Sequence, residues 1–382
     1  MAVLAMLALL VGGLPATAKP ADTAPAAPAA KPAAKAKVRD ALQHDVSPKL
    51  RDIAAKPGGT KRSSAKPSAQ PARSLERTGV NPSAKEGSSR VQREFTASQV
   101  PEFKANFEGV GNVDGVLPPD TNGDVGPNHY VQMVNLHYAV FDKSGNKLLG
   151  PLPGNAVFAG FGGPCETRND GDPVVLYDET ADRWMITQFA LPGGSAGNHQ
   201  CMAISQTGDP TGAFYRYDFL YHQTRMNDYP KYGIWPDAYY MTTNEFAPSF
   251  VGAGAVAFER EKMLAGEPAR MVYFHLGPDF GGLLPADAEG QAPPAGAPNP
   301  FSMFDDDAWG TSPTDRLLMW DFHVDWTNPA NSTFGNNLAP NRSLETAPFD
   351  SNMCNGSRSC VPQQGTSARL DAIADRLMYR AA

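Results

Sequence analysis

Short runs of β-forming residues recur along the chain from about residue 95 onward. Branched and aromatic residues dominate these runs, and Gly, Pro, Asn or Asp interrupts them roughly every ten residues. Regularly spaced short strands separated by turn residues are typical of an all-β sandwich, barrel or propeller. Helical periodicity is scarce, and the best candidate is residues 258–266, a single short helix that a glycine ends.

An internal repeat gives the strongest indication of the architecture. Three segments share a polar turn residue, a spacer, an aromatic residue and a β-forming run, and their first residues lie 54 and then 55 positions apart. A strand candidate rich in Gly, Pro or Asp precedes each segment. The segments are residues 128–135, 182–188 and 237–244, and the preceding strand candidates are residues 120–126, 171–177 and 229–235.

A repeat of ~40–55 residues with about four short strands is typical of a β-propeller blade. The second and third units both contain further strand candidates after the shared segment. These are residues 201–205 and 212–219 in the second unit and residues 254–258 and 271–275 in the third. Residues 277–312 are predicted to be a loop-like insertion, and residues 317–326 resume strand character. The sequence therefore predicts an all-β fold, a β-propeller of four-stranded blades over residues 96–382, with a β-sandwich as the alternative.

A further copy of the repeat lies at the end of the sequence. Residues 370–379 match residues 177–186, and the sequence stops inside what is a strand of the second unit. A propeller must close its ring or leave strand edges exposed. We therefore expect the last blade to be truncated or to be completed in an unusual way.

The first 95 residues differ from the rest in composition. Residues 1–18 hold a short apolar core followed by an A-x-A site, which predicts a cleavable signal peptide. Residues 19–95 are rich in Ala, Pro, Lys and Ser and poor in large apolar residues, which predicts a disordered linker with a transient helix over residues 38–55. The sequence contains no other apolar run that is long enough for a transmembrane helix.

Charge divides the chain near residue 95. Residues 19–95 hold 16 basic and 7 acidic residues, whereas residues 96–382 hold 17 basic and 33 acidic ones. An acidic body is a poor partner for nucleic acid, because phosphate contacts need a basic face. The basic linker is interpreted as a solvated tether or, alternatively, as an attachment to an anionic cell surface. The predicted location is secreted, periplasmic or on the cell surface.

Four cysteines lie in the acidic body. An even number of cysteines in an exported chain suggests disulfides, and four cysteines allow three pairings. We favour Cys165–Cys201 together with Cys354–Cys360, since the second pair closes a short polar loop. A metal site is the rival interpretation, but the sequence has no C-x-x-C and no histidine at ligand spacing from a cysteine.

One short segment has the spacing of a calcium loop. Asp120, Asn122 and Asp124 place oxygen side chains at alternate positions, which can turn toward one ion. The EF-hand pattern fails, because the sixth position is Val125 and the twelfth is Val131. The alternative is a strand-entry turn held by Asx hydrogen bonds. Calcium is thus the one cofactor that the sequence suggests.

Three ionisable residues occupy comparable places in the repeat. Asp172 enters an innermost strand, and Asp124 and Lys231 lie near the starts of the corresponding strands. In a propeller these strand starts meet at one mouth of the channel, where carboxylates and a lysine could act as acid, base or nucleophile. The alternative is that repeated aspartates cap turns between strands.

Aromatic residues cluster in the third unit. Tyr229, Trp235 and Tyr239, with Asp237 beside them, could bind a ligand by stacking on sugar rings and accepting hydrogen bonds. The alternative is that these aromatic residues form the core between blades. Either interpretation is compatible with their spacing.

Four of the runs described above resemble a family of uncharacterised exported bacterial proteins with a β-propeller-like repeat domain. The resemblance covers about residues 105–380. In similar chains the run that ends at Arg380 continues with further strands. The resemblance implies no established reaction. The runs are residues 118–132, 171–178, 229–240 and 370–380.

These observations favour a secreted or cell-surface module that binds a glycan or an extracellular protein. No H-E-x-x-H or P-loop pattern is present in the sequence. The alternative is a secreted hydrolase that acts on glycans through the carboxylates at the channel mouth, and a purely structural role at the cell envelope is a third hypothesis. Whether the chain is an enzyme is left open by the sequence.

Overall fold

The computed structural model describes residues 34–54, 104–290, 292–351, 359–371, 376, 377, 379 and 380. The predicted signal peptide and most of the predicted linker lie outside these residues. Antiparallel strands account for most of the secondary structure, and within the described ranges the longest helix has six residues. The predicted all-β class is confirmed.

Sheet I is an antiparallel meander in which each strand pairs with the next one in the chain. Val131, Met133 and Tyr138 alternate toward one face and are fully buried, which is the period-two pattern of a strand with one buried face. Its strands are β3 (Asn122–Val125), β4 (His129–Val134), β5 (His137–Asp142) and β6 (Lys147–Pro153).

Sheets II and III repeat this meander and correspond to the second and third units of the sequence repeat. The predicted strands of both units are therefore confirmed as strands. Sheet II contains β7 (Val174–Asp178), β8 (Arg183–Gly193), β9 (Gly197–Ser205) and β10 (Phe214–His222). Sheet III contains β11 (Met226–Ile234), β12 (Tyr239–Phe246), β13 (Phe250–Phe258) and β14 (Arg270–Leu276).

Sheet IV begins inside the segment that the sequence predicts to be a loop-like insertion, residues 277–312. That prediction is wrong for two strands, because Phe301 and Met303 are buried against the following strand, which contains Trp320. The alternation of apolar residues in this strand is short, and the prolines around it favour the prediction of a loop. The strands are β15 (Leu284–Pro285), β16 (Asn299–Asp305), β17 (Arg316–His323), β18 (Thr333–Phe334) and β19 (Arg342–Glu345). A separate ribbon pairs β20 (Ser359–Pro362) with β21 (Arg369–Asp371).

The helices are short and lie in the connections. The predicted helix near residue 260 is confirmed, and Gly266 ends it with a left-handed backbone (φ 71°). A side chain on Gly266 would also collide with the Tyr215 ring. The α-helices are α1 (Leu50–Ala54), α2 (Gly163–Thr167) and α3 (Arg260–Ala265), and 3₁₀ turns span Gly154–Phe158, Asp307–Trp309 and Pro329–Asn331.

Part of the predicted linker is folded onto the sheets. Strand β1 (Lys37–Asp40) pairs with β14, and strand β2 (Gln43–Val46) pairs with β10. The disordered linker and its transient helix are therefore wrong for residues 34–49, and only α1 is helical. The sequence predicts a linker here because the segment is polar. An edge strand, however, gains backbone hydrogen bonds without burying apolar side chains. We call residues 37–46 the N-terminal strap.

The sheets pack face to face in chain order through three apolar cores. Sheets I and II enclose Tyr138 and Trp184, sheets II and III enclose Tyr217 and Tyr239, and sheets III and IV enclose Tyr240, Phe301 and Trp320. Full burial of a large side chain contributes ~2–3 kcal/mol. Successive sheets are thus held together by shared apolar cores that combine large aromatic side chains with aliphatic ones.

One predicted disulfide is confirmed. Cys165 in α2 and Cys201 in β9 form a disulfide with a Cα–Cα distance of 5.7 Å. Cys360 is also disulfide-bonded, and its predicted partner Cys354 lies outside the described residues. Disulfides persist in oxidising compartments, which agrees with the predicted export.

Candidate functional site

The first strands of the sheets share an unusual backbone position. Asp120 (φ 41°), Asp172 (φ 45°) and Gly282 (φ 65°) lie two residues before the first strands of sheets I, II and IV. Tyr229 (φ 54°) lies at the irregularity between Asp228 and Lys231 in the first strand of sheet III. A positive φ is uncommon outside glycine, although aspartate tolerates it. The repeat in the sequence therefore marks a repeated backbone turn.

Side chains of β3 fasten sheet I to sheet II. Asn122 accepts a hydrogen bond from the Val175 amide (2.9 Å) and donates one to the Pro173 carbonyl (2.7 Å). Asp124 accepts a bond from the Tyr177 amide (2.8 Å). These bonds satisfy backbone groups on the free edge of β7.

Equivalent bonds join the next pairs of sheets. The Tyr229 amide donates to Asp172 Oδ2 (3.0 Å), and the Ile234 amide donates to Asp287 Oδ1 (2.6 Å). The Ala288 amide in turn donates to the Ile234 carbonyl (2.9 Å). The repeated aspartates thus connect neighbouring first strands.

A cluster of carboxyl groups lies where these strands begin. The Tyr229 amide lies 3.0 Å from both Asp172 Oδ2 and Asp228 Oδ1, so two carboxyl groups share one donor. Asp120 lies close enough to Asp172 and Lys231 to feel their charges. We call Asp120, Asp172, Asp228 and Lys231 the carboxyl cluster.

Burial shifts the ionisation of the carboxyl cluster. Burial, reinforced by the charge of Asp172, raises the pKa of Asp120 to about 7, while Lys231 opposes the shift. Burial also raises the pKa of Asp172. Burial lowers the pKa of Lys231, and the charges of Asp172 and Asp120 oppose that change. At neutral pH the cluster therefore contains a carboxyl group that can both donate and accept a proton.

The Tyr229 ring lies between two cations. Lys231 Nζ is 3.9 Å from the ring centroid, and the Arg376 guanidinium is 4.4 Å from it. Both distances are within the range of a cation–π interaction. The predicted ligand-binding tyrosine is therefore engaged by charged side chains of the protein itself.

The predicted catalytic residues are divided between two places. Asp172 and Lys231 lie together, but Asp124 lies at the opposite end of β3, where the carboxyl cluster does not extend. Asp120 takes the place predicted for Asp124. Asp120 and Asp172 both lie two residues before the first strand of their sheet, a correspondence that appears only in the structure, and no sequence pattern indicates Asp228.

A cavity of about 200 Å³ lies at the other end of the first strands. Carboxylates from three sheets and one indole line it, and we call it the acidic cavity. Arg380 forms ion pairs with Asp287 and, at 3.6 Å, with Glu289. Burial raises the pKa of Asp287, although Arg380 opposes the shift. The lining includes Asp124, Asp178, Glu179, Trp235, Asp287 and Glu289.

The other predicted ligand-binding residues lie near this cavity or in the core. Trp235 lines the cavity, and its Nε1 donates to the Ala297 carbonyl (2.9 Å). Tyr239 is fully buried between sheets II and III and donates to Asp178 Oδ2 (3.0 Å). Asp237 accepts a hydrogen bond from the Tyr240 hydroxyl (3.2 Å). Only Trp235 of these three is part of the cavity lining.

The residues predicted to bind calcium already have protein partners. Asn122 and Asp124 bond to β7, and Asp120 accepts a hydrogen bond from Asn135 (2.9 Å). These bonds reach other parts of the chain, unlike the local bonds of the Asx alternative. Calcium binding by these residues stays a prediction.

Another acidic group lies in the loop before β17. Oxygens of Asp306, Asp307 and Asp315 lie within 4.8 Å of one another. The Ala308 and Ser351 amides donate to Asp306 at 2.8 Å each, and the Asp307 and Phe349 amides donate to Asp315. These carboxylates thus organise the loop. The run of aspartates at residues 305–307 was the only sequence signal for it.

The comparisons with known proteins add no relative: no family model, no curated protein and no solved structure matches the chain. Over the part of the chain that the structure describes, every helix is too short or too polar to cross a membrane. The carboxyl cluster and the acidic cavity are therefore the features that bear on function.

Proposed function

We propose that the chain is a secreted or cell-surface binding module whose acidic cavity takes part of a glycan. The observation that carries this proposal is the convergence of carboxylates from sheets I, II and IV on one small cavity beside Trp235. Carboxylate oxygens accept hydrogen bonds from sugar hydroxyls, and an indole offers an apolar surface to a sugar ring. A cavity of this size suits one ring better than a protein surface.

The proposal includes a propeller-like arrangement with sheets I to IV as its blades. Two observations support it. The first strands β3, β7, β11 and β15 lie side by side through the hydrogen bonds described above, and the apolar cores join the sheets in chain order. Radial packing of four-stranded meanders around neighbouring first strands is the propeller principle. Among the described strands, each sheet has two free edges in its strand order.

The test is a binding measurement with matched variants. A panel of soluble oligosaccharides is titrated into the full chain by calorimetry, and Glu179→Gln and Glu289→Gln, both on the exposed rim, are expected to weaken binding about tenfold, the loss of one charge-assisted hydrogen bond. Glu261→Gln on α3 is the control, because Glu261 is exposed and outside the cavity lining. Failure to bind any oligosaccharide, or equal weakening by the control, would contradict the proposal.

A glycan hydrolase is the second candidate, and the carboxyl cluster favours it. Hydrolysis of a glycosidic bond needs one protonated and one ionised carboxyl group, ~5–9.5 Å apart. Asp120, with a pKa of about 7, and Asp172 would fill these roles. The candidate pair is thus Asp120 and Asp172, assisted by Lys231, instead of Asp124 and Asp172.

Turnover of chromogenic glycosides tests this second candidate. Asp120→Asn and Asp172→Asn should each lower kcat at least about 100-fold, the usual contribution of a general acid or base. Glu261→Gln should leave kcat unchanged, because Glu261 is exposed and lies outside both the carboxyl cluster and the acidic cavity. A chain that hydrolyses no glycoside, but binds oligosaccharides, supports the binding module alone.

A further inference from the structure

Three cationic side chains meet at the junction of the N-terminal strap and sheet III. Lys37 Nζ and the Arg39 guanidinium lie 5.8 and 5.5 Å from the centroid of the Tyr273 ring. Arg225, from the turn before β11, donates to the Tyr273 hydroxyl (2.7 Å). Lys37 and Arg39 belong to β1, whereas Arg225 and Tyr273 belong to the body, so the group exists only when the strap is in place.

A single buried carboxylate balances part of this charge. Glu245 is fully buried and accepts hydrogen bonds from the hydroxyls of Tyr221 (2.5 Å) and Tyr273 (2.6 Å). Its other oxygen faces Arg225 (3.4 Å) and His275. Every acceptor direction of Glu245 is thus turned to the protein, and its one negative charge cannot neutralise three cations.

The cations of the strap have no carboxylate of their own. Arg39 uses Nη1 to bond the Leu220 and Tyr221 carbonyls. Among the described residues, neither Lys37 nor Arg39 forms an ion pair with a carboxylate within 4.0 Å. This is unexpected on a body that holds 33 acidic and 17 basic residues.

A neutral histidine, His222, lies near these three cations. Nδ1 of His222 accepts hydrogen bonds from the Thr224 and Arg225 amides (3.1 Å each), so the proton of the neutral ring is on Nε2. Burial, together with the charges of Arg225, Arg39 and Lys37, lowers the pKa of His222 to about 4. The imidazole therefore stays neutral at physiological pH and offers one N–H.

We propose that Lys37, Arg39 and Arg225 form a binding site for one oxyanion group, a sulfate, phosphate or carboxylate. Guanidinium groups bind such anions with two parallel N–H···O bonds, and an ammonium adds a point charge. Its cations lie on β1 and just before the start of β11, whereas the acidic cavity lies at the opposite end of β11, beside Trp235. It is therefore independent of the proposed glycan site.

The test is calorimetric titration of the full chain with sodium sulfate, with ionic strength held constant by sodium chloride. We expect saturable binding in the millimolar range, and about tenfold weaker binding in Lys37→Gln and Arg39→Gln, since each removes one charge contact. Arg51→Gln is the matched control, because Arg51 belongs to the same N-terminal segment but is exposed and paired with Asp209 (2.7 Å). The control should bind sulfate as the wild-type chain does.

The Arg39→Gln variant could lose anion binding simply because the N-terminal strap detaches. The Lys37→Gln variant then provides the test of the site. Lys37 is exposed and its ammonium lies over the Tyr273 ring, so its replacement should leave the melting temperature unchanged. Unsaturable heats with wild-type protein would overturn the proposal. So would equal weakening by Lys37→Gln and Arg51→Gln, which would reveal a general charge effect.

Two further titrations identify the source of the anion. Sulfated dextran and neutral dextran are compared at equal polymer concentration, and inorganic phosphate is compared with sulfate. Tighter binding of the sulfated polymer than of the free ion indicates an anionic polymer as the ligand, whereas equal binding indicates a free oxyanion. Equal binding of neutral and sulfated dextran would contradict an oxyanion site.

Discussion

Arg260 and Asp178 form a buried ion pair at the wall of the acidic cavity. Nε and Nη2 of Arg260, in α3, lie 2.7 and 2.8 Å from the two oxygens of Asp178, at the end of β7. The Tyr239 hydroxyl donates to the same carboxylate. Burial alone would raise the pKa of Asp178, but the bonds and charge of Arg260 outweigh it and leave that pKa below its usual value.

Removal of Arg260 should leave the buried carboxylate of Asp178 without its ion-pair partner. Arg260→Met is expected to lower the free energy of unfolding by about 3 kcal/mol at neutral pH, because Asp178 keeps its desolvation without its partner. A carboxyl whose pKa is lowered by folding stabilises at pH above its unfolded pKa and loses that contribution as pH falls. The difference in unfolding free energy between wild type and variant should therefore become smaller below about pH 4, where Asp178 of the wild-type protein also becomes protonated.

Urea unfolding at both pH values measures this effect. Arg51→Met is the control, because its exposed pair with Asp209 should be worth less than about 1 kcal/mol. A similar loss in both variants would argue against a special role for the buried pair.

Asp120→Asn should stabilise the protein at alkaline pH. The folded-state pKa of Asp120 is raised to about 7, so stability falls as pH rises from about 4 to 7, when the unfolded chain ionises this group and the folded chain does not. Asparagine removes that penalty, which we expect to be about 2 kcal/mol. Melting temperatures at about pH 4 and pH 8 should differ from wild type only at the higher value.

Asp124→Asn is the matched control for this measurement. Asp124 accepts a hydrogen bond from the Tyr177 amide and has no place in the carboxyl cluster. Its replacement should therefore give no gain at alkaline pH. The same advantage of Asp120→Asn at both pH values would refute the assigned pKa shift.

Gly254→Ala should disturb the surroundings of Glu245. A Cβ atom at this position would lie 2.0 Å from the Tyr221 hydroxyl oxygen and 2.8 Å from Thr243 Oγ1. The phenol must then leave its hydrogen bond to Glu245, and overpacking of this kind costs about 2 kcal/mol. Gly277→Ala is the control, since a Cβ there meets no atom within 4 Å. Urea unfolding should separate the two variants clearly.

Deletion of the N-terminal strap should uncover two sheet edges. Without residues 1–48, β10 and β14 lose their partners, and the buried Arg216 loses its paired bonds to Asp45 (2.6 and 2.7 Å). We expect a lower melting temperature and concentration-dependent association, because free edges pair with other chains. Deletion of residues 1–33 is the control and should preserve both properties in calorimetry and gel filtration.

The repeat in the sequence predicts the central sheets well. The strands of sheets II and III are separated by Asp-, Gly- and Pro-rich turns, so local pattern and final structure agree. The helix that Gly266 ends is likewise predicted from neighbouring residues. The Cys165–Cys201 disulfide is predicted because four cysteines allow only three pairings. All of these depend on residues that lie close in sequence or on a small number of pairings.

The strap and the carboxyl cluster depend on distant partners instead. Lys37 and Arg39 are polar and surrounded by Ala and Pro, and only the free edge of β14 makes this segment a strand. Similarly, Asp228 joins Asp172 because one amide, that of Tyr229, faces both. The spacing of residues along the sequence does not predict that two carboxyl groups will share one backbone amide.

The order of synthesis gives the strap a further consequence. Val38 pairs with Val272, and Val46 pairs with Tyr215, so strands made at the start of translation find their partners only after most of the chain exists. At ~5–20 residues per second this delay is on the order of ten seconds or more. Such late, long-range pairing is slow. The strap is therefore expected to be the last part to close, which makes its attachment an indicator that the sheets beneath it have already formed.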